Sequence, residues 1–212
     1  MRRHAFAAFA LAVSLAGCWL ADSDAVQAAR ESTDACVADS GQPLLDLHDG
    51  FWLCMPGSWR DLRPGSPSWV EVFGTADSDV EQQVASGSID HFAMPLEPRD
   101  ADPTVNLTIY VTPVPVGADV VTVSRVYMDS AAQQGAHDET WTRVPLASGA
   151  SVEVTGIRDH TAGAEATDWF DAYVIVKGST AYHFVFISLD QSRDTFTPIF
   201  REIAESIGFP PS

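Results

Sequence analysis

Residues 169–189 read Trp169-Phe170-Asp171-Ala172-Tyr173-Val174-Ile175-Val176-Lys177-Gly178-Ser179-Thr180-Ala181-Tyr182-His183-Phe184-Val185-Phe186-Ile187-Ser188-Leu189. Gly178-Ser179 separates two runs rich in β-branched and aromatic residues, the pattern of a hairpin closed by a tight turn. Within each run apolar residues do not alternate with polar ones: Tyr173-Val174-Ile175-Val176 and Phe184-Val185-Phe186-Ile187 are apolar at successive positions. A strand carries that pattern when both of its faces are covered. The hairpin therefore predicts the middle of a sheet with helices or another sheet on either side, an α/β (α+β) sandwich.

Downstream, Phe196, Ile199, Phe200, Ile203 and Ile207 recur at helical spacing. They predict an amphipathic helix capped by Thr195 or Thr197, with Pro198 in its first turn, Phe200 facing inward and Arg201 outward. Gly208 and Pro210-Pro211 end it. Upstream, strands are predicted at Leu44–His48, Phe51–Met55, Trp69–Phe73, Ile89–Met94, Val105–Val111, Trp141–Leu146 and Ser151–Ile157. Asp49-Gly50 reads as the turn between the first two, and Pro56-Gly57 stops the second. A second helix begins after Asp119 or Thr122 and runs to Gly135, with Val120, Val123, Tyr127 and Ala131 on one face; its Val-rich opening also suits a strand. Thr75–Gly87 and Pro95–Pro103 read as acidic or proline-bearing loops, and no internal repeat is present.

The N-terminus has a different character. Arg2 and Arg3 precede an apolar run from Ala5 to Ala16, which closes in Leu15-Ala16-Gly17-Cys18. A basic start, a short apolar stretch and small residues make a secretory signal, and the run is too short for a permanent membrane span. The last four residues resemble a lipobox, which implies cleavage before Cys18 and acylation of its thiol. An uncleaved apolar N-terminus, or an ordinary signal peptide with a chance cysteine, is the alternative. Acylation on more than one chain tethers a protein firmly, on the extracytoplasmic side. Residues 1–17 are then the signal peptide, 18–43, polar and Ala/Ser/Asp/Gln-rich, a lipidated flexible tether, and 44–212 one domain.

The chain has 12 Lys+Arg against 29 Asp+Glu. Removal of Arg2 and Arg3 with the leader leaves 10 basic side chains and a formal charge of −19. Such a field repels phosphate backbones, so nucleic acid is excluded as a partner, and it repels anionic headgroups, so acyl chains rather than a basic patch must hold the membrane. An acidic surface also serves solubility alone. Cys36 and Cys54 remain as an even pair in an oxidising compartment and are expected to form a disulfide. Its loop would contribute about 3 kcal/mol on chain-entropy grounds. Cys54, among Phe51-Trp52-Leu53-Cys54-Met55, also suits a buried free thiol.

Catalytic and metal motifs fail at chemically required positions. No Gly-x-Ser-x-Gly elbow occurs, and Ala85-Ser86-Gly87-Ser88 lacks the first glycine. His48, His91, His137, His160 and His183 are scattered along the chain, without the clustering a zinc site needs. His183 lies in an apolar strand and reads as a core or edge residue. Asp77-Ser78-Asp79-Val80-Glu81 begins like a calcium loop, but Gln82 stands where glycine is needed and Ser88 where a bidentate glutamate belongs. Asp168 and Asp171 flank Trp169-Phe170 as a carboxylate pair of the kind common at strand ends. Lys177, the one lysine, has no phosphate-loop context.

The order of parts resembles the PsbP and Mog1-like superfamily, in particular its bacterial lipoprotein branch of LpqN-type proteins. The resemblance rests on Phe51, Leu53, Pro56, Gly57 and Trp59 near the start of the domain. At its end it rests on the strand Ala181–Leu189, the helix Phe196–Ile203 and the finish Ser206–Phe209. It implies a central, largely antiparallel sheet sandwiched by helices, and an accessory or binding role without a shared catalytic centre. The combined reading is a lipid-anchored, extracytoplasmic, non-catalytic binding protein for a protein or lipid component of the cell envelope, with no cofactor or metal. The alternatives are an envelope hydrolase whose site is assembled by the fold, and a carrier of an apolar small molecule.

Overall fold

A computed structural model describes residues 23–63, 66, 69–70, 79–96, 104–159 and 167–210. Cys18 and the leader lie outside the described residues, as do 71–73, 77–78, 97–103 and His160.

The elements are α1 (Ser23–Ala38), β1 (Gln42–Asp46), β2 (Phe51–Met55), β3 (Trp59–Asp61), α2 (Asp79–Ala85), β4 (His91–Pro95), β5 (Asn106–Pro113), α3 (Val120–Gln133), β6 (Ala136–Leu146), β7 (Gly149–Asp159), β8 (Thr167–Lys177), β9 (Thr180–Leu189) and α4 (Arg193–Glu205), the last entered through a 3-10 turn at Asp190–Ser192. Strands β3-β4-β5-β9-β8-β7-β6 form a seven-stranded sheet, and β1-β2 a separate two-stranded one. Every pairing is antiparallel. The hairpin that decided the fold sits where its composition requires: β8 and β9 pair from Asp168↔Leu189 to Lys177↔Thr180, and Gly178 takes the positive φ, 61°, that the turn demands.

Both faces of that hairpin are covered. On one, Tyr173, Ile175, Phe184 and Phe186 pack beneath β1–β2 and α4, with Phe51 edge-on to Phe184 at 5.5 Å and Phe200 stacked on Phe186 at 4.9 Å. On the other, Val152, Val154, Ala172 and Val185 pack under Val121 of α3. α3 begins where its capping residue predicts, with Asp119 accepting from the Thr122 amide at 3.2 Å.

Several elements depart from the sequence reading. Ser23–Ala38, assigned to a flexible tether, is helix α1. Its composition favours helix, it lacks a broad apolar face, and a covalent link fixes its last turn: Cys36 is bonded to Cys54 of β2 with Cα atoms 5.6 Å apart. The disulfide expectation is met, and the free-thiol alternative falls. Ser66 caps a helical turn by accepting from the Trp69 amide at 3.1 Å, so Trp69 and Val70 are helical rather than strand. Part of the predicted Thr75–Gly87 loop is α2, whose Val84 packs on the cluster of Leu62, Trp69 and Ile89. β6 starts five residues before its predicted Trp141 start because a bulge between His137 and Thr140, with Asp138 at φ 54°, breaks the alternation. α4 begins at Arg193, its N-cap Ser192 makes no side-chain cap, and Thr197 donates instead to the Arg193 carbonyl at 2.8 Å. Pro198 therefore lies in the second turn, where it removes one helical hydrogen bond. Arg201 is not a free outer residue: it pairs with Glu205 at 2.7 Å and approaches Glu153 at 3.8 Å.

Candidate functional site: an apolar groove beneath α3

Side chains alternate across a strand, so the residues of β5, β8 and β9 that do not enter the main core point toward α3. Tyr110, Phe170, Val185 and Ile187 form a floor, and Tyr127, Val123 and Val126 of α3 form one wall. The other wall is the segment from Pro113 to Ala118, whose Gly117 adopts φ 81° and so turns the chain back toward the Asp119 cap. The space enclosed is about 860 Å³. That is the size of a small-molecule or lipid-chain site. Two valines stand at its lip almost unprotected: Val116 is 87% exposed and Val126 64%.

Most of the groove's exposed lining is apolar, with hydroxyl and amide side chains such as Thr112, Thr122, Ser130 and Gln134 interspersed. Among the described lining residues Arg158 is the one with a permanent charge, and its guanidinium is held 3.6 Å from Asp168. His183 rises from β9 into the floor and is 8% exposed. Its Nε2 lies 3.5 Å from Thr112 Oγ1, its Nδ1 is buried without a hydrogen-bond partner, and the Tyr127 ring covers it with centroids 5.4 Å apart. Burial drives its pKa down to about 4, so the imidazole is neutral at physiological pH. Burial also raises the phenols of Tyr110 and Tyr127, which stay protonated.

Thr112 and His183 have the residue types of a nucleophile and its base, but the arrangement is that of packing. A working base needs a third group on its other nitrogen and a pKa near the operating pH. Nδ1 has neither a carboxylate nor a carbonyl, and the pKa is too low.

The carboxylate pair suggested by sequence is not brought together. Asp168 shares the groove face with Phe170 and pairs with Arg158, whereas Asp171 points to the opposite face beside Tyr173. There the Tyr173 hydroxyl donates to Glu153 Oε1 at 2.8 Å, with Asp171 Oδ2 at 3.3 Å. Asp171 is 1% exposed, and burial followed by the Glu153 charge pushes its pKa up to about 7. The groove is lined by none of Asp171, Tyr173 and Glu153. No group of three or more His, Cys, Asp or Glu side chains is placed to hold a metal among the described residues, and no described helix is long and apolar enough to cross a membrane.

A second depression, about 950 Å³, lies where the turns after β1, β6 and β8 meet the tail after α4. Its lining sets Lys177 against Asp49 and Glu205, and the Lys177 ammonium is already seated 5.1 Å over the Phe209 ring. It offers neither a continuous apolar wall nor an unengaged cation.

Sequence reasoning missed the groove because its walls are ordinary core-type residues. The visible signal was Val114, Val116 and Val126, valines placed on a loop and on the outer side of a helix.

No family model matches the chain, and no curated protein matches it in sequence. Solved structures do. The solution structure of cyanobacterial PsbP (CyanoP) from Synechocystis aligns with TM-score 0.51 and 16% identity over 80% of this chain and 92% of that one. The crystal structure of LpqN, a Mycobacterium tuberculosis protein involved in cell envelope biogenesis, aligns with TM-score 0.50 and 16% identity over 81% of this chain and 91% of that one. The fold is PsbP-like, and the expected antiparallel sheet between helical layers is observed.

Proposed function

We propose that this PsbP-like chain is a lipid-anchored accessory protein of the extracytoplasmic face of the cell envelope that binds an apolar component of the envelope in the groove beneath α3, without catalysis. The groove carries the reading. Its exposed lining is mostly apolar, its described lining has one permanent charge already paired with Asp168, and Val116 and Val126 present apolar surface to water at its lip. An occupant that covered those surfaces would gain roughly 25 cal/mol for each Å² removed from water. Between adaptor, carrier and hydrolase, this geometry supports an apolar binding site, and the Thr112–His183 contact gives a hydrolase no working base.

The address is supported by the lipobox-like Leu15-Ala16-Gly17-Cys18, by a disulfide suited to an oxidising compartment, and by the fold shared with an envelope-biogenesis protein. Because Ser23–Ala38 is helix, four residues, Trp19–Asp22, separate Cys18 from α1, and the five backbone steps between them span roughly 18 Å at most. An acylated Cys18 would hold the domain against the membrane rather than on a long stalk, with the acidic surface opposing close contact with anionic headgroups.

The test is binding of a fluorescent fatty-acid probe to the chain from Ser23 onward, in wild type and in Val126→Asp. Val126 is exposed, so the variant folds with near-native stability. The expected result is saturable binding in wild type and at least tenfold weaker binding in the variant; equal affinity for the two would reject the groove as the site.

A further inference from the structure

Among the described residues the two-stranded sheet shares no backbone ladder with the seven-stranded one; side chains pack β1–β2 on it, and the bridge between Trp52 and Gly208 ties the hairpin to the tail after α4. At this seam stands His91, the first residue of β4, with its side chain 11% exposed. Its Nε2 lies 2.8 Å from Asp46 Oδ2 at the end of β1. Its Nδ1 lies 3.3 Å from Asp61 Oδ2 and 3.4 Å from Asp61 Oδ1 on β3. The edge of the ring faces Phe51 of β2 at 5.8 Å. Both carboxylates are themselves mostly buried, 13% and 19% exposed. One imidazole therefore joins strands of both sheets.

A neutral imidazole has one N–H, so it can donate to one of these carboxylates while turning a lone pair toward the other; only the imidazolium donates to both. We infer that His91 is a protonation-dependent latch between the two sheets: charged, it pins β1–β2 to β3–β4, and neutral, it leaves two buried carboxylates facing one donor and the hairpin loosens. Cys54 lies in β2 and is bonded to Cys36, so α1, the element nearest the N-terminal tether, moves with the hairpin.

The surrounding charges act in the same sense. Asp49, in the turn after β1, has its carboxyl raised by burial and then by Asp46 and Asp90. Asp90, beside His91, accepts from the Val111 amide at 2.7 Å. Arg63 touches Asp61 at 3.6 Å from an exposed position, and His48 is exposed in the turn after β1. Burial opposes the charge on His91, but hydrogen bonds and charge from Asp61 and Asp46 outweigh it and raise its pKa above the ordinary histidine value. Burial likewise opposes ionisation of Asp46, and His91 together with the Asp49 and His48 amides outweighs it and lowers that carboxyl. The raised histidine gives a latch fully present below its unfolded pKa and lost as pH rises through the folded one. The lowered aspartate gives a contribution present above the unfolded carboxylate value and lost as pH falls through the folded one. The hairpin is thus held from mildly acidic to neutral pH and released on the alkaline side. None of this depends on the groove having a ligand.

Hydrogen exchange followed by mass spectrometry on the full chain, corrected for the intrinsic pH dependence of exchange, tests the latch. In wild type, protection of residues 42–55 should fall as pH rises from 6 to 9 by more than that of β8–β9, the excess reaching up to roughly tenfold for each unit by which His91 is raised. His91→Gln should abolish this alkaline loss. Asp61→Asn, which preserves the Asp46 contact and therefore folding, should move the midpoint to lower pH. Constant protection of 42–55 in wild type, an unchanged alkaline loss in His91→Gln, or an unmoved midpoint in Asp61→Asn would each overturn the proposal. If His91→Gln does not fold, the Asp61→Asn midpoint decides.

Discussion

Cys36, in the last turn of α1, is joined to Cys54 of β2 across the backbone of Gly41, where a β-carbon would collide with both sulfurs. The bridge therefore closes around a residue that must be glycine for steric reasons. It also converts a weakly apolar helix into a fixed part of the domain, since α1 otherwise buries little beyond Ala29.

Reduction of this disulfide should lower unfolding free energy by about 2 to 4 kcal/mol, because the reduced unfolded chain regains loop entropy. Urea unfolding with and without reductant measures it. Gly41→Ala should be destabilised more in oxidised protein than in a Cys36→Ser/Cys54→Ser background, where the close approach to the Cys36 carbonyl remains. Equal effects of Gly41→Ala in the two backgrounds would show that the sulfurs are not what excludes the side chain.

Phe200 is fully buried between Phe186 and Phe196, at 4.9 and 6.0 Å. Phe200→Ala should cost about 3 to 5 kcal/mol through the cavity it leaves. The suitable silent control is exposed Glu202, not Arg201, because Arg201 supplies the positive charge beside Glu153. Arg201→Ala should be intermediate, and a melt that ranks Arg201→Ala with Glu202→Ala would remove the Glu153 contact from the account.

The legible and illegible parts of this fold divide on physical lines. The β8–β9 hairpin was legible because burial on both faces writes itself into consecutive positions, and α3 because Asp119 and Gly135 punctuate it. α1 was not, since a disulfide does for it what an apolar face does for other helices. His91 read as an isolated histidine because its partners, Asp46 and Asp61, are far apart in sequence and meet through a contact between two sheets. The groove was equally hidden: Tyr110, Tyr127 and His183 look like core residues, and only the spacing of α3 from the sheet leaves room between them.

The anchor makes a prediction of its own. If Cys18 is acylated, expression in a bacterial host should give detergent-phase protein, and Cys18→Ser should give precursor or soluble protein. Detergent-phase partitioning of the variant at the wild-type level would show that something other than this thiol holds the membrane.

Asp171 sets the last prediction. Its carboxyl is buried with Oδ1 unpaired, and its pKa is pushed up to about 7, so the folded state holds a proton that the unfolded chain has released. Between the ordinary carboxylate value and about 7 the native state binds more protons, and stability must fall as pH rises through that window. The loss is on the order of 4 kcal/mol at full development. His183 acts in the opposite sense. Its pKa is lowered to about 4, so it is neutral in the fold where the unfolded chain is charged, and stability falls as pH drops from the ordinary histidine value toward 4. Asp171→Asn keeps the shape and removes the titration. Its unfolding free energy, measured from pH 4 to pH 8, should gain on wild type as pH rises, and the histidine-dependent fall on the acid side should become steeper once the opposing carboxyl is gone. A constant difference between Asp171→Asn and wild type across that range would show that Asp171 is already ionised in the native protein.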